Sequence, residues 1–571
     1  MRFLEWKSKG TGVLLMLTAV QAFDRSVFQQ PMYANKSISN DSYRIRAQSP
    51  LPDATQLTQK EKQDFIKGAF MFAWEGYRAF SWGYDENRPV SNRPVNTRNG
   101  WGATIVDALD TLYLMGLTEQ FNEAKDFVRT IDWKAVKPGN EEVQVFETVI
   151  RYVGGLISAY DLSGDSVFIT KAVELVDLLM PAFDTPTGIP YQFVNFKTGK
   201  GVKSGFTDGA SCLAELGTVQ LEFTRLSQIT DNWVYHRAGQ RVYEAFENMR
   251  TSPHGLFTHL INPDTGKQLG NYITWGGMAD SFYEYLIKQY VMSKGRDERM
   301  KDMSIAAIRS LEKHLLTSPK DHSERVLLSV LDNGVQVPVM DELACFAPGS
   351  LLLASKTIPG LKNIEDFAAD LMDGCYIAWS STRTGLAPET FGWEDSKDGH
   401  TVVGELTGRR KQLAEEAGVF PVTSSYILRP ETLESLYYFY KYTGDKSYEI
   451  KAWNIFNALH VYSHSSSGFS GVQDIDSSYP TWDDRQESFF FAETFKYLYL
   501  FYDDDAAESV SFDQWVFNTE AHPFRIVDKE PPKPVEVPWF DEISDFFDKC
   551  LSFILGILFG WIGIIYKSIF G

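Results

Sequence analysis

Eight carboxylates recur at one place in a repeating pattern, and groups of this kind do proton transfer or hold cations. Asp107 and Asp110 precede a helix-breaking position at Gly116, Glu147 precedes Gly164, Glu215 precedes Thr230-Asp231, and Asp280 precedes Gly295. Glu342 precedes Gly360, Glu431 precedes Gly444, and Glu493 precedes Asp503-Asp504-Asp505, with separations mostly of 9 to 18 residues. One acid in the first turn of a helix is ordinary, because the helix dipole favours it. An acid at the same place in every repeat asks for a function. The chain carries no phosphate loop, dinucleotide fingerprint or nucleophilic Ser or Cys motif, so converging acids favour acid/base hydrolysis or cation binding. Glycoside hydrolysis leads. It needs one protonated acid for the leaving oxygen, one carboxylate to activate water, and aromatic residues to line the sugar site. His460 and His464 stand at i,i+4 without the glutamate of HExxH and read as ordinary helix residues, so no zinc site is expected.

The elements that position these acids are helices. Apolar residues recur at helical spacing, as in Phe146, Val149, Ile150, Val153, Leu156, Ile157 and Tyr160. The helix ends repeat: Tyr160-Asp-Leu-Ser-Gly164-Asp-Ser-Val-Phe168 parallels Tyr440-Lys-Tyr-Thr-Gly444-Asp-Lys-Ser-Tyr448, with glycine as the stop signal. The breaks at 164, 230, 295 and 360 lie 65 or 66 residues apart, about one helical hairpin with its loops. Seven breaks predict seven αα-hairpins, an all-α (αα)7 barrel with a pocket on its axis where equivalent residues of the inner helices converge. Glu493 lies in Ser488–Phe501, apolar nearly all round and therefore buried, which obliges its carboxylate to be paired, cation-bound or protonated. Glu147 precedes Arg151 by one turn, and Gly154-Gly155 suggests close packing of that helix. Glu431 follows Arg429-Pro430, with proline placed to start a helix.

The 571 residues, 44% apolar and 14% aromatic, form a globular composition able to bury a large core. A net charge of -20 argues against a nucleic-acid partner. Four cysteines without a CxxC pair allow at most one or two disulfides. Residues 1–22 carry a short apolar run after Arg2, Lys7 and Lys9 and read as a signal peptide or signal anchor, which places the chain in the secretory pathway. The polar segment 23–58 contains sequons at Asn35 and Asn40. The helical domain is expected over 59–525, an acidic Pro-rich linker over 526–548, and an apolar segment over 549–571. Its uncharged core, Cys550–Tyr566, reaches roughly 25 Å as a helix against a ~30 Å hydrocarbon layer, so it either spans a membrane or lies on a surface.

Five segments, in order, resemble the signatures of glycoside hydrolase family 47, the class I α-1,2-mannosidases. They are Gly100–Leu112, Phe146–Leu156, Ala279–Leu286, Leu428–Leu436 and Phe517–Pro523, and the resemblance runs from about residue 60 to 525. It implies an (αα)7 barrel and inverting, Ca2+-dependent removal of terminal α-1,2-linked mannose from high-mannose N-glycans of glycoproteins in the endoplasmic reticulum or Golgi, by a monomer. By the same resemblance Glu147 protonates the leaving group through a water, Glu431 is the base, and Asp280 and Glu389 are further catalytic acids. Arg151, Glu215, Arg429, Glu434, Phe489 and Glu493 surround the sugar. Thr519 supplies backbone and hydroxyl oxygens to calcium, with waters held by the acids completing the shell. Cys345 and Cys375 pair.

Two positions depart from the family pattern. Glu342 stands where many relatives have histidine, which turns a switchable donor facing the sugar into an acceptor. Met278 stands where single-mannose trimming enzymes carry arginine, which leans towards removal of several mannoses. The alternative function is a mannose-binding, lectin-like quality-control factor of the same fold, against which the retained acids speak.

Overall fold

The computed structural model describes residues 43–136, 141–205 and 209–532. The expected leader, Asn35, Asn40 and the apolar segment 549–571 lie outside the described residues. Among the described residues no helix is long and apolar enough to cross a membrane. One compact unit extends to Asp528, and Lys529 begins a second, described only to residue 532.

The chain starts its barrel with α1 (Gln59–Ser81), then makes six consecutive pairs and ends on a lone helix. The pairs are α2 (Leu109–Leu114) with α3 (Thr118–Thr130), α4 (Gly154–Ser163) with α5 (Ser166–Leu179), and α6 (Gln220–Thr230) with α7 (Val234–Glu247). They continue as α8 (Asp280–Met292) with α9 (Glu298–His314), α10 (Ala347–Thr357) with α11 (Glu365–Ser380), and α12 (Glu431–Thr443) with α13 (Lys446–Tyr462). The lone helix is α14 (Phe495–Tyr502). The first members pack side by side, α2 on α4, α4 on α6, and so on to α12 on α14, and the turn Phe490–Thr494 entering α14 returns to α2. The ring is closed.

The seventh break differs from the other six. After Asp503 only a short helix, Asp504–Ser509, follows, and α1 takes the outer place against α14. Helices α1 and α14, from opposite ends of the barrel's sequence, thus make the seventh pair, and Lys62 of α1 pairs with Glu449 of α13 beside them. A capping box starts α1: Glu61 N–H donates to Thr58 Oγ1 (3.2 Å) and Thr58 N–H to Glu61 Oε2 (2.8 Å).

The sequence repeat has a structural cause. Gly164 and Gly444 both adopt the left-handed conformation and donate back to Tyr160 O (2.7 Å) and Tyr440 O (2.9 Å). Asp165 and Asp445 then cap the next helix, accepting from Val167 N–H (3.1 Å) and Ser447 N–H (2.8 Å). At the third break the left-handed residue is Asp231.

Among the described residues seven small sheets of two or three strands accompany the helices, six of them in the connections that run from an outer helix to the next inner one. The seventh is a hairpin, Trp515–Phe517 with Pro523–Arg525, that packs on α8 and α4. Its turn is anchored from within the ring: Asn518 Nδ2 donates to Ile150 O (3.0 Å), and Lys496 Nζ donates to Ala521 O (2.6 Å). The Gly154-Gly155 pair makes this approach feasible, since a Cβ on Gly154 would stand 2.7 Å from Asn518 Nδ2 and one on Gly155 2.6 Å from Val106 O.

The inner helices are buried over most of their surface, charges included. In α8 every residue from Ser281 to Tyr290 is buried, among them Lys288, which pairs with Glu284 and lies 3.3 Å from Glu434. Lys496 of α14 pairs with Asp110 at 2.9 Å. Pairing lets a charge sit inside the ring.

Candidate active site

Glu147 ends the helical turn Val145–Glu147, which continues as a π-helix, Thr148–Val153, into α4. A second π-helix, Phe490–Thr494, carries Glu493 into α14, and π-turns of this kind concentrate at functional sites. Arg151 Nε donates to Glu147 Oε2 at 2.7 Å, Arg98 lies 3.2 Å from the same oxygen, and Arg151 also pairs with Glu520. Burial works against the ionised form of Glu147, but the Arg151 and Arg98 charges outweigh it and hold the carboxyl below its usual range.

Asp280 is the first residue of α8, and burial pushes it up to about 7 against the Ser281 N–H that donates to it, with Asp341, Glu284 and Glu431 adding to the rise. The chain enters this position under strain. Met278 is 47% exposed and holds φ +76°, and Gly276 lies so close to Asp341 that a Cβ there would meet Oδ1 at 2.2 Å. Asp341 accepts from Gly277 N–H (3.0 Å) and Ala344 N–H (2.9 Å), so it orders both approaches.

Across the ring, Arg429 Nε and Nη2 donate to Glu389 Oε2 at 3.1 and 3.0 Å, and Nη1 lies 3.6 Å from Glu431 Oε1. Burial raises the Glu389 carboxyl despite this partner. Glu431 opens α12, and the buried Leu428 ahead of it holds φ +72°. Phe489 lies within cation–π reach of both Arg151 (5.7 Å) and Arg429 (5.9 Å), so one aromatic face joins the two halves of the site.

Below these groups the carboxylates crowd. Glu493 is raised well above its usual range by burial and by Glu520, Glu431 and Glu434. Burial likewise pushes Glu520 and Glu434 up to about 8 although Arg151 and Lys288 oppose it. Thr519 sits on the hairpin turn beneath them, and among the described residues neither its hydroxyl nor its carbonyl oxygen carries a protein hydrogen bond. Two free oxygens of one threonine beside an excess of negative charge suit a hard divalent cation.

Contacts join Glu147, Arg151, Phe489, Arg429, Glu389 and Glu431 in one run, and the charges of these acids act on Asp280, Glu434 and Glu493 beside it. Glu215 lies on the turn Leu213–Gly217, which packs on the turn Val145–Glu147, and it accepts from Gln144 Nε2 (2.6 Å) and Gln192 Nε2 (2.7 Å). Glu342 is 1% exposed and meets Glu431 rather than open space. Sequence reasoning passed over Arg98, Asp341, Glu284, Lys288 and Glu520. Glu520 adjoins Thr519 and Asp341 adjoins Glu342, so proximity was a signal for these two; Arg98 lies in a loop with no pattern. Cys345 and Cys375 form a disulfide, Cα–Cα 5.8 Å. His460 is a helix residue as expected, whereas His464 lies past the end of α13 in a bridge to Phe469 and stacks on Phe72 at 4.3 Å; burial keeps both imidazoles neutral.

A closed ring of seven inner helices with carboxylates gathered at their N-terminal ends is the architecture of an α/α-barrel glycosidase. The chain belongs to glycosyl hydrolase family 47, whose model matches residues 69–526, and it is an enzyme, a glycoside hydrolase. It is 37% identical over 476 residues to human mannosyl-oligosaccharide 1,2-alpha-mannosidase IB, covering 82% of this chain and 70% of that one. It is 38% identical to the Aspergillus phoenicis mannosyl-oligosaccharide alpha-1,2-mannosidase 1B, covering 84% and 94%. Among solved structures, the alpha-1,2-mannosidase from Trichoderma reesei superposes with a TM-score of 0.77 at 32% identity, over 84% of this chain and all of that one.

Proposed function

We propose that the protein hydrolyses terminal α-1,2-linked mannose from high-mannose N-glycans in the secretory pathway, with inversion and with calcium bound at Thr519. The observation that carries the reading is the run of contacts from Glu147 through Arg151, Phe489 and Arg429 to Glu389 and Glu431, with the Glu431 charge also acting on Asp280. Glu431 acts as base: it takes a proton from a water as that water attacks the anomeric carbon. The leaving oxygen needs a proton from the other side. Glu147 reaches it through a water: its protonated carboxyl gives a proton to the water as the water gives one to the leaving oxygen, and the Arg151 and Arg98 charges work against that protonated state. Inversion requires acid and base roughly 6.5 to 9.5 Å apart.

A second donor is favoured by one observation. Asp280, raised to about 7, holds a proton through much of the neutral range, which is what a general acid requires. Phe489 with its two guanidiniums offers the sugar an aromatic face, and Met278 the mouth an apolar contact that does not restrict trimming to one branch.

Thr519 Oγ1 and O would hold calcium, with waters on Glu431, Glu434, Glu493 and Glu520. When bound, the ion supplies positive charge against the crowded carboxylates. The lectin reading is weaker because the full acid set is present. Proton NMR of the first-formed sugar tests the proposal: β-mannose supports inversion, and α-mannose overturns it. Calcium should raise the melting temperature of the wild type and much less that of Thr519→Ala.

A further inference from the structure

Asp85 stands between the end of α1 and the strand Glu86–Arg88, wholly buried, and five donors converge on its carboxylate. Oδ2 accepts from Arg98 N–H at 2.9 Å and Gly100 N–H at 2.8 Å; Oδ1 accepts from Trp101 N–H (3.1 Å), Ala103 N–H (3.3 Å) and the Tyr152 hydroxyl (3.1 Å). The backbone of Asp85 joins in, donating to Asn96 Oδ1 at 3.1 Å and accepting from Thr104 N–H at 3.0 Å. Gly100 and Gly102, at φ +80° and +74°, let the chain turn twice and bring successive N–H groups onto one carboxylate. Trp101 closes the loop against Trp133 and Tyr152, with ring centroids 5.2 and 5.7 Å away. All five donors are neutral, and what they require is an acceptor with two oxygens and a full charge; an asparagine would turn its own NH2 on at least two of them.

This frame reaches the active site from two sides. Arg98 carries its guanidinium from the loop to Glu147, 3.2 Å from Oε2, and Tyr152 belongs to the π-helix Thr148–Val153 that follows directly on Glu147 and carries Arg151. Arg151 Nε donates to the same Oε2 at 2.7 Å. Two guanidiniums on Oε2 leave the proton to Oε1 whenever the carboxyl is protonated. Glu147 and Arg98 keep 20% and 24% of their side chains exposed while Asp85 and Tyr152 are wholly buried, so the working pair is open and the groups that fix it are closed in. We propose that Asp85 is a positioning residue for Glu147: by holding the Arg98 loop and the π-helix against each other, it fixes the carboxyl so that Oε1 carries the proton meant for the leaving group. The proposal rests on the reading of Glu147 as the proton donor.

The leaving group separates positioning from mere support, because fluoride departs without a proton and a sugar alkoxide does not. With the full-length protein saturated in calcium, Asp85→Asn should lose about 10²-fold in kcat on α-1,2-mannobiose, and Tyr152→Phe, which removes one donor and keeps the ring, about 10-fold. Both should recover most of the loss on α-mannosyl fluoride, and neither should add to the loss of Glu147→Gln on the disaccharide. Amide hydrogen exchange should quicken across residues 96–104 in Asp85→Asn. Equal losses on the two substrates, undiminished kcat on the disaccharide in both variants, losses that multiply with that of Glu147→Gln, or unchanged exchange would overturn the proposal. Glu147→Gln that does not recover on the fluoride would refute the donor assignment instead, and the exchange result tests the clamp independently of it. Should Asp85→Asn fail to fold, Tyr152→Phe on the two substrates decides alone.

Discussion

Arg151 follows Glu147 by one helical turn and donates from Nε to its Oε2 at 2.7 Å, while Arg98 approaches the same oxygen at 3.2 Å. Two guanidiniums on one oxygen make Glu147 a stable carboxylate, and the raised carboxyl of Asp280 lies elsewhere on the ring. A substrate whose leaving group needs no proton separates the two donors. Whichever of Glu147→Gln and Asp280→Asn is the acid variant should lose about 10²- to 10⁴-fold on an α-1,2-linked disaccharide and recover most of that loss on α-mannosyl fluoride. Lack of recovery in both would remove both from the role.

Asp110 ties the terminal hairpin to the ring, 2.8 Å from His522 and 2.9 Å from Lys496. Burial opposes its ionisation, but Lys496 and His522 prevail and hold it at about 2. A folded value below the unfolded one, 3.8, gives stability that is complete above that value and lost as pH falls through about 2. His522 has the opposite sign: burial lowers it, Asp110 and Asp107 raise it past 6.5, and its contribution fades as pH rises through the folded value. Asp110→Asn should cost about 3–5 kcal/mol at neutral pH and flatten the acid dependence, as read by denaturant unfolding. A variant as stable as wild type would contradict the pairing.

The disulfide joins Cys345, in the turn that begins with Glu342, to Cys375 in α11, with a sequence separation of 30. A loop of this length is worth about 3.6 kcal/mol. Cys375→Ser should therefore lower the melting temperature and make it insensitive to reductant, and a wild type equally insensitive would show the link to be unformed.

Helix ends were legible because the first six breaks use residues in the left-handed conformation, Gly164 and Gly444 most plainly, each of these two followed by an aspartate cap, while the seventh, at Asp503, is extended. Closure was not. Nothing in α1 announces that it will pack against α14, since that contact is made at the far end of the chain and only the ring geometry selects it. The strands, two to four residues each, are too short to display alternation. The acids of the site could be found by position, because the inner helices begin at one end of the ring. Their ionisation could not, since it depends on partners such as Arg98 and Thr432 that come from distant segments. Glu342 shows the difference best: its sequence position suggests a sugar contact, while its surroundings give it a carboxylate neighbour and no open face.

The most direct measurement is mannose release from a defined high-mannose glycan, with calcium and after chelation, by wild type and Glu431→Gln. The account predicts calcium-dependent release by the wild type, about 10²- to 10⁴-fold slower in the variant, with glycan binding retained. Binding of intact glycan without release under any calcium condition would contradict it and leave a lectin.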